Sequence, residues 1–349
     1  MGNGSLSCSF FVRQFALSKL PIKCYNKAWV IENSSDYAHG VAVVTDMLNA
    51  EQPDLFEDLF GETNQISIYI NSLNLSAAKQ AIEKLKQSRQ SIDLRNESQI
   101  CEFFMEHLIL SDVTNMVSTW KEFTETFKGN NLASNKHLKK NYFTALCKTI
   151  EEQKNDDDYV LNIPVGLFYI YAGDLKGAKA RLEKAIVKHP DDARLSGYLG
   201  ELHFLRGNVQ NSRICYREAF EANPNGVDLD SISDGAVIDL INHVKRDVSN
   251  SDYIDWVVIY GCIEKIFPYK IIKILDDLRL YVNDFLKMET DYKKGKANPL
   301  KPKLFYKCMV LAESNQYLKH IRSVEFIKIR ALMKDINPEL FGIYMEGRK

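Results

Sequence analysis

Between residues 159 and 225 the chain says nearly the same thing twice. Gly166, Gly173, Leu182, Ala185 and Pro190 return as Gly200, Gly207, Tyr216, Ala219 and Pro224, each pair 34 residues apart. A period of that length marks a helix–turn–helix unit that buries its apolar face only by stacking on copies of itself. Gly166 and Gly200 fall inside the first helix of each unit, where glycine costs about 1 kcal/mol against alanine, a cost that persists where a neighbouring helix must come close. Gly173 and Gly207 fall where that helix should stop, because glycine takes the left-handed conformation a helix terminus needs. Ala178, Leu182, Ala185 and Ile186, then Ser212, Tyr216, Ala219 and Phe220, put one stripe of the second helix against the first. Pro190 and Pro224 close the units, since proline cannot continue the hydrogen-bond ladder.

Small glycine, aromatic, turn glycine, small residue, bulky apolar residue, alanine and closing proline together resemble the tetratricopeptide repeat. The pattern departs from that family where Asn162 and Ser196 replace a large aromatic, and where His203 stands opposite Tyr169. The resemblance implies an all-α fold, a right-handed α-solenoid of antiparallel helix pairs with additional flanking helices. In that family the first helix of each pair lines a concave, partner-binding surface. On this chain those positions are Val160, Ile163, Leu167, Ile170 and Tyr171, then Arg194, Gly197, Glu201, Phe204 and Leu205. Some co-chaperones of the family grip the carboxyl terminus of a heat-shock chaperone with a lysine and an asparagine. Ile163 and Leu167 fill those places here, so that clamp is not expected. The expected ligand is an amphipathic helix or apolar peptide of another protein, unless the flanking helices of the chain itself cover the groove.

Composition narrows the alternatives. At 349 residues, 45% hydrophobic and 26% charged, the chain can build a sizeable core. Only 17 Gly and 9 Pro argue against a turn-rich β design. The net charge of −1 gives no overall bias toward nucleic acid. Charge is uneven, however. No Lys or Arg stands between Lys27 and Lys79, a stretch that holds Glu32, Asp36, Asp46, Glu51, Asp54, Glu57, Asp58 and Glu62, whereas residues 270–349 carry 17 basic and 10 acidic side chains. The seven cysteines are scattered singly, with no CxxC pair and no histidine at zinc spacing, which reads as reduced core residues in a cytoplasmic protein.

The same reading divides the chain into an N-terminal leader and acidic segment (1–61, partly disordered), an N-terminal helical region (62–158), the two repeats (159–226) and a C-terminal helical region (227–349). Residues 1–31 lack acid and carry Arg13, Lys19, Lys23 and Lys27 around an apolar patch too broken for a membrane span. Met1-Gly2 invites myristoylation, but Leu6 stands where Ser or Thr is wanted. Residues 54–60 form an acidic, apolar stretch suited to one amphipathic turn. Residues 66–90 match 166–190 at an offset of 100, from Tyr69-Ile70 through Leu75, Ala78, Lys79, Glu83 and Lys84, suggesting a degenerate third helix pair. Amphipathic periodicity places helices over 100–110, 113–127 and 138–150, with Asp112 capping the second. Beyond the repeats it places them over 236–248, 253–267, 271–288, 304–318 and 321–336, with Asn337-Pro338 starting another. Residues 291–303, with Gly295, Pro299, Pro302 and five lysines, read as a loop.

No phosphate loop, strand-led GxGxxG, HExxH, GxSxG or Cys/His cluster is present, so no catalytic, cofactor or metal residues are assigned. The expected function is non-enzymatic: a scaffold or adaptor that holds a partner protein or peptide, without a membrane. Two alternatives come from other classes. Tyr292, Lys293, Lys294, Lys296, Lys301, Lys303, Phe305, Tyr306 and Lys307 interleave base-stacking and phosphate-binding residue types, as a nucleic-acid-binding helical repeat would. An enzyme with a site assembled from distant residues is the other.

Overall fold

The computed structural model describes residues 22–25, 28–31, 52–88, 92–130, 135–248, 251–295, 300–318 and 323–348. The chain divides into two compact units, Met1–Asn64 and Gln65–Lys349. In the first, strands β1 (Ile22–Tyr25) and β2 (Ala28–Ile31) form an antiparallel hairpin. Apart from this hairpin, the leader expected over residues 1–31 lies outside the described residues. The acidic stretch 54–60 is helical, within α1 (Gln52–Asn71).

Among its described residues the second unit is built of helices joined by turns and loops, with one hairpin of two-residue strands. In order come the rest of α1, α2 (Leu75–Ser88), α3 (Arg95–His107), α4 (Val113–Thr126) and α5 (Lys136–Glu152). The hairpin β3 (Tyr159–Val160) and β4 (Ile163–Pro164) leads into α6 (Val165–Ala172), α7 (Leu175–Lys188), α8 (Ala193–Leu205) and α9 (Val209–Ala222). Then follow α10 (Gly235–Asp247), a 3-10 turn (Ser251–Trp256), α11 (Val257–Ile263), α12 (Leu275–Lys293), α13 (Lys301–Leu318), α14 (Ser323–Ile336) and α15 (Pro338–Glu346). The fold is all-α: 15 helices among the described residues, each packed mainly on its neighbours in sequence.

Local chemistry explains the turns. Asp112 accepts the Asn115 N–H at 3.0 Å and Asn337 accepts the Leu340 N–H at 3.0 Å, satisfying donors that the first helical turn leaves open. Gly173 and Gly207 end their helices at φ +80° and +76°. Leu73, 100 residues before Gly173, takes the same left-handed conformation at φ 58° without being glycine. The Asn74 N–H donates to Tyr69 O at 2.9 Å, as the Asn208 N–H donates to His203 O at 2.9 Å, so the same bond closes both turns. Where the pattern predicts one helix over 253–267, the structure has the 3-10 turn and the shorter α11. Lys265 at φ 62° and a bond from the Phe267 N–H to Gly261 O, 2.8 Å, stop α11 by turning the chain back over its last turn.

Two cores follow one another along the unit. The first is aromatic. Phe104 meets Phe123 (ring centroids 4.5 Å), Trp120 meets Tyr142 (4.7 Å) and Phe143 meets Phe168 (5.7 Å), linking α3, α4, α5 and α6 in chain order. The second runs from Ala193 to Tyr344 and centres on α13, where every residue from Leu304 to Ser314 except Lys307 is buried.

Candidate functional site

The expected concave lining does not form an open groove. Val160 and Ile163 lie in the β3/β4 hairpin, because Pro164 and the left-handed Leu161 and Asn162 (φ 49° and 61°) delay the helix until Val165. α6 is then buried on nearly every side, Leu167 and Ile170 included. Phe143 of α5 stacks on Phe168 and meets Tyr171 at 5.0 Å, while the Lys139 ammonium sits 3.3 Å from the centroid of the Tyr171 ring. Burial holds that ammonium below the usual lysine range. Val160, Leu167 and Ile170 are thus core residues, covered by the chain itself.

The second repeat behaves similarly. Glu201 is buried, accepting the Tyr216 hydroxyl and the Ser233 N–H, both at 2.8 Å. It ties the repeat to the segment that follows instead of facing a ligand. Arg194 pairs with Asp192 at 2.7 Å and donates to Asn162 O at 2.8 Å, bracing the hairpin. Tyr171 and Phe204 are half-buried, and Leu205, 47% exposed, is the freest of the ten expected residues.

The lysine-aromatic segment also rearranges. α12 runs on to Lys293 and α13 begins at Lys301, so both ends of the expected loop are helical, and residues 296–299 lie outside the described residues. Phe305 and Tyr306 are buried, which removes both from any base-stacking role. Tyr292 donates its hydroxyl to Asp335 at 3.3 Å.

A broad, largely apolar concavity lies on the C-terminal helices. α12 and α14 each pack on α13 and leave a groove of about 710 Å³ between them, with Leu311 of α13 at its floor. Val282, Phe285 and Leu286 form one wall; Ile329 and Leu332 form the other. The sequence builds this because both helices carry more apolar residues than one stripe needs. Leu278 and Phe285 face the core on α12, and Ile329, Met333 and Ile336 do so on α14. Leu286 (49% exposed), beside the α12 stripe, and Leu332, beside that of α14, extend the apolar surface outward. At the rim Glu289 pairs with Lys293 at 2.5 Å, while Lys328 makes no ion pair among the described residues. The helices were legible in sequence but the groove was not. Its signal was the surplus of apolar residues beside each stripe.

Compared with protein-family models, with curated proteins and with solved structures, the chain gives no match. Among the described residues no helix is long and apolar enough to cross a membrane, and no group of three or more metal-ligating side chains converges.

Proposed function

We propose that the chain is a non-enzymatic interaction scaffold that holds an amphipathic helix of a partner protein in the groove between α12 and α14. The tetratricopeptide-like pairs α6–α7 and α8–α9 serve as its frame, read as two turns of an α-solenoid. The observation that carries the proposal is the 710 Å³ apolar groove, walled by α12 and α14 and floored by Leu311. Helix-in-groove recognition uses this arrangement, with apolar anchors at helical spacing seated in a hydrophobic trough. The occupant is a helix with one apolar face and acidic flanks. Residues 270–349 carry the basic surplus, 17 against 10, and Lys328 at the rim offers a cation that makes no ion pair among the described residues.

The test uses the intact chain as bait to identify partners, then a synthetic peptide covering an acidic amphipathic helix of the partner. Leu286→Glu or Leu332→Glu places a charge in an apolar contact and should weaken that peptide by about 2 kcal/mol or more, a hot-spot loss. Lys294→Glu should leave binding of the peptide nearly unchanged, because a single exposed charge contributes about 0–1 kcal/mol. Unaltered peptide binding by both groove variants, confirmed folded, rejects the groove. Salt-dependent binding of single-stranded oligonucleotides that only the lysine variant loses would replace it with the nucleic-acid reading.

A further inference from the structure

A second concavity, of different chemistry, lies where α9 meets the C-terminal helices. It holds about 230 Å³, more than the roughly 150 Å³ that admits benzene in an engineered apolar cavity. Phe220, Val258 and Met288 supply apolar wall. Most of the ionisable groups around it are already matched. Glu221 accepts from Lys270 at 2.5 Å and from the Tyr306 hydroxyl at 3.3 Å. Asp284 pairs with Lys307 at 2.6 Å, and that ammonium lies 4.1 Å from the centroid of the Tyr281 ring.

Two lining groups are left over. The Tyr281 hydroxyl is buried without a hydrogen-bond partner. Asp255 makes no hydrogen bond among the described residues, and its carboxyl is pushed up by burial, with the exposed Lys303 acting in the opposite sense. Each is costly to leave so: a buried hydroxyl without a partner forfeits its hydration, and so does a partly buried carboxylate whose nearby cation, Lys303, makes no hydrogen bond to it among the described residues.

We propose that this cavity binds a small primary amine. Its ammonium pairs with Asp255, its carbon chain lies against Phe220, Val258 and Met288, and a hydroxyl or second amine at its far end meets the Tyr281 hydroxyl. The alternatives fit less well. A small anion would face Glu221, Asp255 and Asp284 together, while of the two lining lysines Lys307 is already paired with Asp284 and Lys303 is exposed to water. An apolar molecule would leave Asp255 and Tyr281 unmatched. Water serves the hydroxyl but brings no charge to Asp255.

Isothermal titration calorimetry on the intact chain tests this with putrescine and ethanolamine, and with sodium acetate and glycerol as controls. The expected result is saturable binding of one amine per chain, with no binding of either control. Asp255→Asn should weaken the amines about tenfold or more, or about 1.4 kcal/mol. Met288→Trp should abolish binding by filling the space. Asp255→Asn removes an unmatched carboxylate, so its melting midpoint should be unchanged or higher, which separates lost binding from lost folding. Leu286→Glu, in the partner groove, should bind the amines as the unaltered chain does. The proposal is overturned by an absence of saturable heat at millimolar amine, by equal binding to Asp255→Asn, or by acetate binding as well as the amines.

Discussion

A Cβ placed on Gly200 would lie 2.9 Å from Tyr216 Cδ1 and 3.1 Å from the backbone oxygen of Ser212; one on Gly166 would lie 2.5 Å from Leu182 Cγ. The two glycines and the side chains that fill their space sit at equivalent points of the 34-residue period, so this contact was legible in sequence as a spacing. Gly200→Leu should cost about 1–3 kcal/mol through overpacking, read as a lower denaturation midpoint; an unchanged midpoint would show that the helices can part freely. Glu313 was not legible. It is buried on α13, accepts the Tyr344 hydroxyl at 2.7 Å and pairs with Arg348, whose guanidinium lies 5.0 Å from the ring centroid of Tyr269. No spacing rule links residues 313 and 348, because tertiary packing alone brings them together. Arg348→Ala should destabilise by an amount near the lower end of the roughly 3–5 kcal/mol seen when a buried pair loses one partner, since Arg348 keeps some solvent contact. Adding Glu313→Gln should recover much of that loss in a denaturation series. Burial pushes the thiols of Cys147, Cys215 and Cys262 up to about 12, well above neutral pH. With little thiolate present they should resist alkylation in the folded chain and react once it is denatured, which peptide mapping by mass spectrometry would show.

Among the elements, those whose ends carry chemistry were placed best. Asp112, Gly173, Gly207 and Asn337 each sit at the terminus their residue type suggests. Elements ended by backbone geometry without such a marker were misread. Leu161 and Lys265 adopt left-handed conformations that their side chains disfavour, so nothing in their identity announces a turn; Leu73 does the same, but there the match at an offset of 100 marked the helix pair. The β3/β4 hairpin is the costliest case, because it removes a turn of helix from the first repeat and with it two of the expected lining residues. Leu161 at its tip is 55% exposed and gains little there. Leu161→Asn should therefore stabilise the chain by about 1 kcal/mol, the order of the left-handed penalty, as a raised melting midpoint. A fall would mean that Leu161 makes a contact that outweighs its strain.

For the molecule as a whole, helix class and order were readable because amphipathic periodicity is local. Circular dichroism of the full chain should be dominated by helix, well above the roughly one-third average; a β-dominated spectrum would contradict the architecture. The groove was not readable because it depends on which two helices flank a third. That third helix, α13, has a further consequence. A helix with one wet face can persist on a partly assembled neighbour, and an array of such helices can lose an end unit and keep the rest. α13 presents almost no wet face from Leu304 to Ser314, so its stability depends on α11, α12 and α14 being in place together. Shortening the chain past α14 should not trim the C-terminal half by degrees. It should take that half down in one step, while the paired helices before it retain the means to stand on one another.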